Sequence, residues 1–307
     1  MSIRLDGQVA IVTGAGNGLG KSHALALAGR GARVVVNDLG GTSDGSGGSV
    51  TAAEQVAALI CEQGGEAIAN AANVTDPDAV QAMVAEAMDK WGRVDILVNN
   101  AGILRDRSFT KMSLEEFRTV IDVHLTGAFI CTKAVWDIMK EQQYGRIVMT
   151  SSASGLYGNF GQSNYSAAKM GLVGLMNTLA IEGQKNNIHV NALAPTAATR
   201  MTEELIPDKK ALELLTPQSV TAGMLTLCHK EAPTRFILCA GAGGYACTRI
   251  YETEGVYLSP ENQQPENLLA IWQEMTDDSN AGEIKTAFDQ TWKFVEAARK
   301  ALQSAEG

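Results

Sequence analysis

Short apolar runs alternate along this chain with segments of helical period, and that rhythm constrains the fold more than any other feature. The runs are "QVAIVTG", "ARVVVND", "EAIANAANV", "RVDILVNNAG", "GRIVMTSS", "NIHVNALAP" and "TRFILCAGAG". Helical spacing fills 17–29, 49–63, 77–90, 113–142 and 163–185. A run rich in Val, Ile and Leu on both of its faces suits a strand covered on both sides, as in a parallel sheet between two helical layers. The expectation is an α/β fold, a doubly wound parallel sheet of about seven strands in three layers, α/β/α. Residues 1–250 carry this pattern and are expected to form one domain. The tail at 251–307 is poor in strand formers and has two prolines in "LSPENQQPENLL". Ile284, Phe288, Trp292, Val295 and Leu302 recur there at helical spacing, so it reads as a helical extension packed on the domain or on a partner subunit.

The first turn decides the chemistry. In "AIVTGAGNGLGKS" the end fits a relaxed phosphate-loop pattern, whereas "TGAGNGLG" fits a dinucleotide-binding turn. A phosphate-loop enzyme also needs an acidic metal ligand at the end of a core strand, and Asp95 stands at the start of "VDILVNN". A dinucleotide turn needs an acid closing the second strand to accept from the adenosine ribose. Asp38 is there, 24 residues after Gly14. The second parse, a Rossmann-type turn, is preferred. Gly14 permits the tight turn, Gly18 lets the backbone approach a pyrophosphate, Gly20 lets helix and sheet close, and Asn17 and Leu19 lie between them. A carboxylate at Asp38 repels a 2′-phosphate, and neither Asn17 nor Asn37 supplies a cation for one, so NAD is expected over NADP.

Composition removes other classes. The net charge of −9 makes nucleic acid and anionic membrane poor partners. The five cysteines include no C-x-x-C and the four histidines no metal-binding spacing, so neither a disulfide framework nor a metal site is expected. Neither a basic leader nor a long apolar span is present, and the final "SAEG" is not a peroxisomal address, so a cytoplasmic protein is expected. The glycine- and serine-rich "LGGTSDGSGGSVTAAEQV" reads as a flexible surface loop running into a helix.

In "TSSASGLYGNFGQSNYSAAKMG" a tyrosine and a lysine stand four apart on a helix, so Tyr165 and Lys169 share one face. A phenol must shift by about 3 units, roughly 4 kcal/mol, to act as a base near neutral pH. The Lys169 ammonium is a suitable source of that shift, directly and through ribose hydroxyls. Ser152, thirteen residues before Tyr165 at a strand end, is placed to hold the substrate oxygen.

Together with the glycine turn and "NNAG" at 99–102, these residues resemble the short-chain dehydrogenase/reductase family over roughly 6–250. The resemblance implies that Tyr165 is the general acid/base, that Ser152 orients substrate, and that Lys169 lowers the tyrosine pKa. It places Asn73 and Val74 beside adenine, and Asn100, Ala101 and Gly102 near the adenosine ribose. Pro195 and Thr199 fall in the loop at the nicotinamide, where Thr196 replaces the usual glycine. The family's fourth catalytic position, an asparagine, is His124 here, and a proton-relay role through an imidazole nitrogen is expected of it.

A narrower resemblance is to the (3R)-hydroxyacyl-CoA dehydrogenases of multifunctional enzymes, some also acting as 17β-hydroxysteroid dehydrogenases. It rests on "VNDLGG", "NNAGILRDRSFTKM", "VHLTGAF", "TLAIEG" and "RMTEELIP". It implies NAD-dependent oxidation of a (3R)-hydroxyacyl-CoA, with a steroid or other bulky secondary alcohol as the alternative. Arg105, Arg107, Lys111 and Arg200 are candidates for the CoA phosphates, and are equally readable as charged loop residues. The chain is expected to stand alone, without the hydratase that follows in such enzymes. A homodimer or homotetramer is expected through the long helices, whose Trp136, Leu172 and Leu175 suit an interface or the core.

Overall fold

A computed structural model describes residues 3–41, 51–197 and 208–306. The chain divides into two units, Met1–Cys247 and Thr248–Gly307. The first unit begins β1 (Val9–Thr13), α1 (Gly18–Ala28), β2 (Arg33–Asn37), α2 (Thr51–Glu62), β3 (Glu66–Asn70), α3 (Pro77–Trp91) and β4 (Ile96–Asn99). Next come α4 (Leu114–Ile121), which passes through a π turn at Asp122–Thr126 into α5 (Gly127–Gln142), then β5 (Gly145–Thr150), α6 (Ala153–Tyr157) and α7 (Ser163–Gly183). It ends with β6 (Ile188–Thr196), α8 (Lys209–Leu214), α9 (Pro217–Cys228), β7 (Ile237–Gly241) and β8 (Gly244–Thr248).

The sheet order is β3-β2-β1-β4-β5-β6-β7-β8, and β1 to β7 run parallel. All seven expected strands are present. The eighth was not expected: Ala242 and Gly243 both take positive φ, 49° and 77°, and so short a link returns the chain antiparallel. Alternate strand residues feed two cores. Val12, Val36, Ile96 and Val98 pack with α1, α2 and α9, while Ile11, Val35, Leu97 and Ile147 pack with α3, α5 and α7. Leu172 belongs to the second core, with Trp136 and Leu175 partly buried against it. Because the chain reverses direction of winding between β1 and β4, a crevice opens beyond their C-terminal ends.

At the opposite, N-terminal ends of the strands, buried charges are held firmly. Asp95 accepts from Val9 N at 2.9 Å and pairs with Arg93 at 2.6 Å. This acid lies at the far end of the sheet from the glycine turn, away from the place a phosphate loop would need its metal ligand. Arg146, with no exposed surface, donates to the carbonyls of Gly145, Asn187, His229 and Lys230, and its guanidinium lies 4.3 Å from the Tyr144 ring centroid.

The second unit contains β9 (Tyr251–Glu252) paired antiparallel with β10 (Gly282–Glu283), and the helices α10 (Pro265–Ala270), α11 (Trp272–Met275) and α12 (Ala287–Glu306). The expected final helix is α12; the short ladder carried no sequence signal. Lys293 pairs with Glu252 at 2.8 Å and Arg249 with Glu283 at 2.9 Å. No helix of the described residues is long and apolar enough to cross a membrane, and those residues hold no cluster of metal-ligating side chains.

Candidate active site

One cleft of about 670 Å³ lies at the crevice. It brings together Gly14, Asn17, Gly18, Leu19, Gly20, Asp38, Asn73, Val74, Asn100, Ala101, Gly102, His124, Ser152, Tyr165, Lys169 and Pro195. Thr199 and Arg200, and most of the glycine-rich insertion, lie outside the described residues.

At the cofactor end Gly14 and Gly18 take φ of 63° and 53°, the left-handed region. A Cβ on Gly20 would sit 2.1 Å from the Gly14 carbonyl oxygen, so only glycine lets α1 start this close to β1. The Asn17 side chain makes no cap bond, and the first turn of α1 carries no acid. Its open amides are therefore suited to a pyrophosphate. Asp38 is fixed by Gly16 N and Gly40 N, each at 2.7 Å. Lys169 is the only lysine or arginine among the described residues lining the cleft. Glycine cradle, open helix start and ribose acid thus fit a nicotinamide dinucleotide.

Sequence reasoning missed Thr13, and the contacts by which Asn100 braces this cradle. Thr13 Oγ1 accepts from the backbone amides of Asn100 and Ala101, both at 3.0 Å. Asn100 Nδ2 donates to the carbonyls of Thr13 and Gly14 at 2.9 and 3.1 Å. The side chain of Asn100, named in the sequence only as lying near the ribose, thus holds the glycine turn.

At the chemical end Ser152 caps α6, its hydroxyl accepting from Ser154 N at 3.2 Å, and it hydrogen-bonds the Tyr165 side chain. Lys169 Nζ stands 5.3 Å from the Tyr165 ring centroid and donates to Thr150 O at 2.5 Å. Burial drives Lys169 down to about 7 and Tyr165 up to about 12; for the tyrosine the Ser152 hydrogen bond opposes this and Asp106 adds to it. The expected lowering of the tyrosine by Lys169 is therefore not a property of the protein alone. Desolvation favours the neutral form of each group.

The π turn presents His124 to the same place. Such turns are frequent at functional sites. Its ring meets Tyr165 edge-on at 5.1 Å, and a Cβ on Gly102 would collide with it at 2.1 Å. His124 Nε2 lies 2.8 Å from the carbonyl oxygen and 3.0 Å from the amide nitrogen of Ile103, while the buried Nδ1 has no partner. Burial and the nearby Lys169 hold this imidazole neutral, against the Ile103 hydrogen bond. Beside it a cavity of about 10 Å³ is lined by Asn99, Cys131, His124 and Lys169. Its volume is about that of one water probe.

The family model described as short chain dehydrogenase matches residues 8–210. The chain belongs to the short-chain dehydrogenase family. It is therefore an oxidoreductase acting on a CH–OH group of a small molecule with a nicotinamide cofactor. It is 49% identical to mouse peroxisomal multifunctional enzyme type 2 over 97% of this chain and 40% of that protein. It is 48% identical to a putative short-chain type dehydrogenase/reductase of Mycobacterium tuberculosis, over 89% of this chain and 96% of that one. Among solved structures, the full-length peroxisomal multifunctional enzyme type 2 of Drosophila melanogaster superposes with a TM-score of 0.80 at 39% identity, over 97% of this chain and 50% of that one. A 7α-hydroxysteroid dehydrogenase complexed with NADH and 7-oxo glycochenodeoxycholic acid gives 0.71 at 30% identity, over 78% and 95%. The chain spans half or less of the length of the mouse and fly multifunctional enzymes. Those relatives are named as peroxisomal, which overturns the cytoplasmic expectation. That expectation rested on the chain ends, and an address signal is a receptor-read tag that need not lie in the segment common to relatives.

Proposed function

We propose that this chain oxidises a (3R)-hydroxyacyl-CoA to the 3-ketoacyl-CoA with NAD. The observation that carries the reading is the meeting of Ser152, Tyr165 and Lys169 in one cleft with the glycine cradle and Asp38, in a chain so similar to multifunctional enzyme type 2. Tyr165 takes the hydroxyl proton of the substrate while Ser152 holds the same oxygen. A nicotinamide dinucleotide held by Gly14, Gly18, Gly20 and Asp38 would supply the hydride acceptor for the carbinol carbon. Lys169 supplies the charge that makes a phenolate accessible, and His124 passes protons to Lys169 through a water in the small cavity. Asp38 favours NAD, because a 2′-phosphate would meet its carboxylate, and the only lysine or arginine among the described residues lining the cleft is Lys169 at the chemical end.

The long helices support a homodimer: Phe129 on α5 and Ile181 on α7 remain about half exposed, at 52% and 48%. Light scattering on the purified protein tests this, and a monomer would refute it. A second substrate class, a hydroxysteroid, is favoured by the likeness to the 7α-hydroxysteroid dehydrogenase. Formation of reduced nicotinamide with (3R)- and (3S)-hydroxydecanoyl-CoA, beside estradiol, separates the two. Turnover of the R thioester alone supports the proposal, and turnover of the steroid alone overturns it.

A further inference from the structure

Two loops beside the cleft are bound into one platform. Arg107 N donates to Gly161 O at 2.9 Å, and Asn164 Nδ2 to Arg105 O at 2.9 Å. Between them Gln162 Nε2 donates to Asp106 Oδ2 at 2.7 Å. This contact fixes the amide, because a carboxylate only accepts. Asn159 Nδ2 reinforces the same orientation by donating to Gln162 Oε1 at 3.0 Å. Gln162 is 4% exposed and lines the cleft with Asn159, Ser152 and Tyr165. One Nε2 hydrogen is committed to Asp106, and the other is available to a ligand.

Asp106 is unusual in the same way. Its Oδ1 is buried without a partner, and it forms no ion pair among the described residues. The nearby Arg107 pairs with Glu116 instead, at 3.4 Å. The Asp106 charge is felt at the reaction centre, since it acts on Tyr165. A polar group of this kind, held without a counter-ion beside a binding cleft, discriminates by charge.

We infer that Gln162 and Asp106 select a neutral carbonyl beside the reacting carbinol and reject a carboxylate there. Gln162 donates its second Nε2 hydrogen to the acyl carbonyl oxygen. Asp106 orients that amide and repels a substrate whose acyl end is ionised. The pair thus admits a 3-hydroxyacyl thioester and excludes the free 3-hydroxy acid released from it by hydrolysis. This rests on the proposed thioester reading of the site.

The experiment compares kcat/KM for three small substrates that lack the CoA nucleotide: (3R)-hydroxydecanoyl-N-acetylcysteamine, (3R)-hydroxydecanoate and (R)-2-decanol. The wild type is expected to prefer the thioester to the acid by about tenfold or more, and Asp106→Asn to narrow that ratio about tenfold by raising activity on the acid. Gln162→Leu is expected to lower thioester activity about tenfold, mainly through KM, and to leave 2-decanol unchanged. An unchanged ratio in Asp106→Asn, or equal losses on thioester and alcohol in Gln162→Leu, overturns the inference. Should Gln162→Leu not fold, judged by its melting curve, the near-isosteric Asp106→Asn still decides it. If the wild type turns over no thioester, the functional reading falls, and methyl (3R)-hydroxydecanoate against the free acid then tests the pair by the same ratio.

Discussion

The two ends of the central sheet treat buried polar groups in opposite ways. At the strand starts, Asp95 and Arg146 are saturated by backbone and side-chain partners. At the strand ends, Asn99 Oδ1, His124 Nδ1, Thr150 Oγ1, Asp106 Oδ1 and Ser166 Oγ are buried with no partner. Gln8 Oε1 is the exception at the first end, and His23 Nε2 lies in the helix layer. Native proteins rarely leave such groups open, so a concentration of them marks a place shaped by something other than stability. One end holds the fold together, and the other keeps hydrogen-bonding capacity for ligand, water and protons.

A substitution at each extreme breaks this contrast most sharply. Tyr165→Phe is expected to lower kcat/KM by about 10²–10⁴-fold while leaving the melting temperature nearly unchanged, as read by substrate kinetics and calorimetry. Arg146→Met should do the reverse. It leaves the carbonyls of Gly145, Asn187, His229 and Lys230 buried without their donor, a loss of about 3 kcal/mol in urea unfolding, with activity per folded molecule retained.

Lys169→Met sharpens the comparison, because it exchanges the same kind of cation for the same thioether at the other end. Lys169 is held near 7 by burial, so its native site disfavours the charge that the unfolded chain carries at neutral pH. Removing it is expected to abolish turnover yet stabilise the fold by on the order of 1–3 kcal/mol. A destabilised Lys169→Met protein would mean that the Thr150 contact outweighs desolvation.

The histidines give a smaller, graded effect. His23 is buried beside Thr221, 2.8 Å from its hydroxyl, and burial lowers it to about 3; burial lowers His124 as well. Both folded values lie below the unfolded one. The unfolded chain therefore binds the extra protons, and the stability present above about pH 6.5 is lost as pH falls toward the folded values. At pH 5 the loss should reach about 2 kcal/mol for His23 alone. Urea midpoints measured at neutral pH and at pH 5 check this, and His23→Gln should flatten the difference.

The first end of the sheet and the cradle were legible because periodicity and glycine spacing are local properties. All seven parallel strands followed from their apolar runs, Gly14, Gly18 and Gly20 from their spacing in the first turn, and Asp38 from its place closing the second strand. What escaped the sequence depends on distant segments meeting. Thr13 bracing Asn100, Thr150 receiving Lys169, and Asp106 orienting Gln162 join residues 87, 19 and 56 positions apart. The antiparallel β8 escaped because its turn, Ala242-Gly243, lacks the asparagine or aspartate that usually announces one. The burial that raises Tyr165 and lowers Lys169 escaped for a related reason: residue spacing shows which charges can meet but not how much water they lose.

The smallest expected effect concerns His124, where the two readings of an open valence can be told apart. Its Nε2 is engaged by Ile103, whereas its Nδ1 is free and its ring lines the cavity shared with Lys169. If the nitrogen only fills space, His124→Phe keeps the edge contact to Tyr165 and leaves kcat and its pH profile as they were. If it holds a relaying water, His124→Phe should lower kcat by about tenfold and shift the alkaline or acid limb of the profile, while His124→Asn, which restores a polar group, should recover most of the rate. Equal rates in wild type and His124→Phe would make the π turn a packing device and remove the histidine from the chemistry, leaving Lys169 to exchange protons by another route.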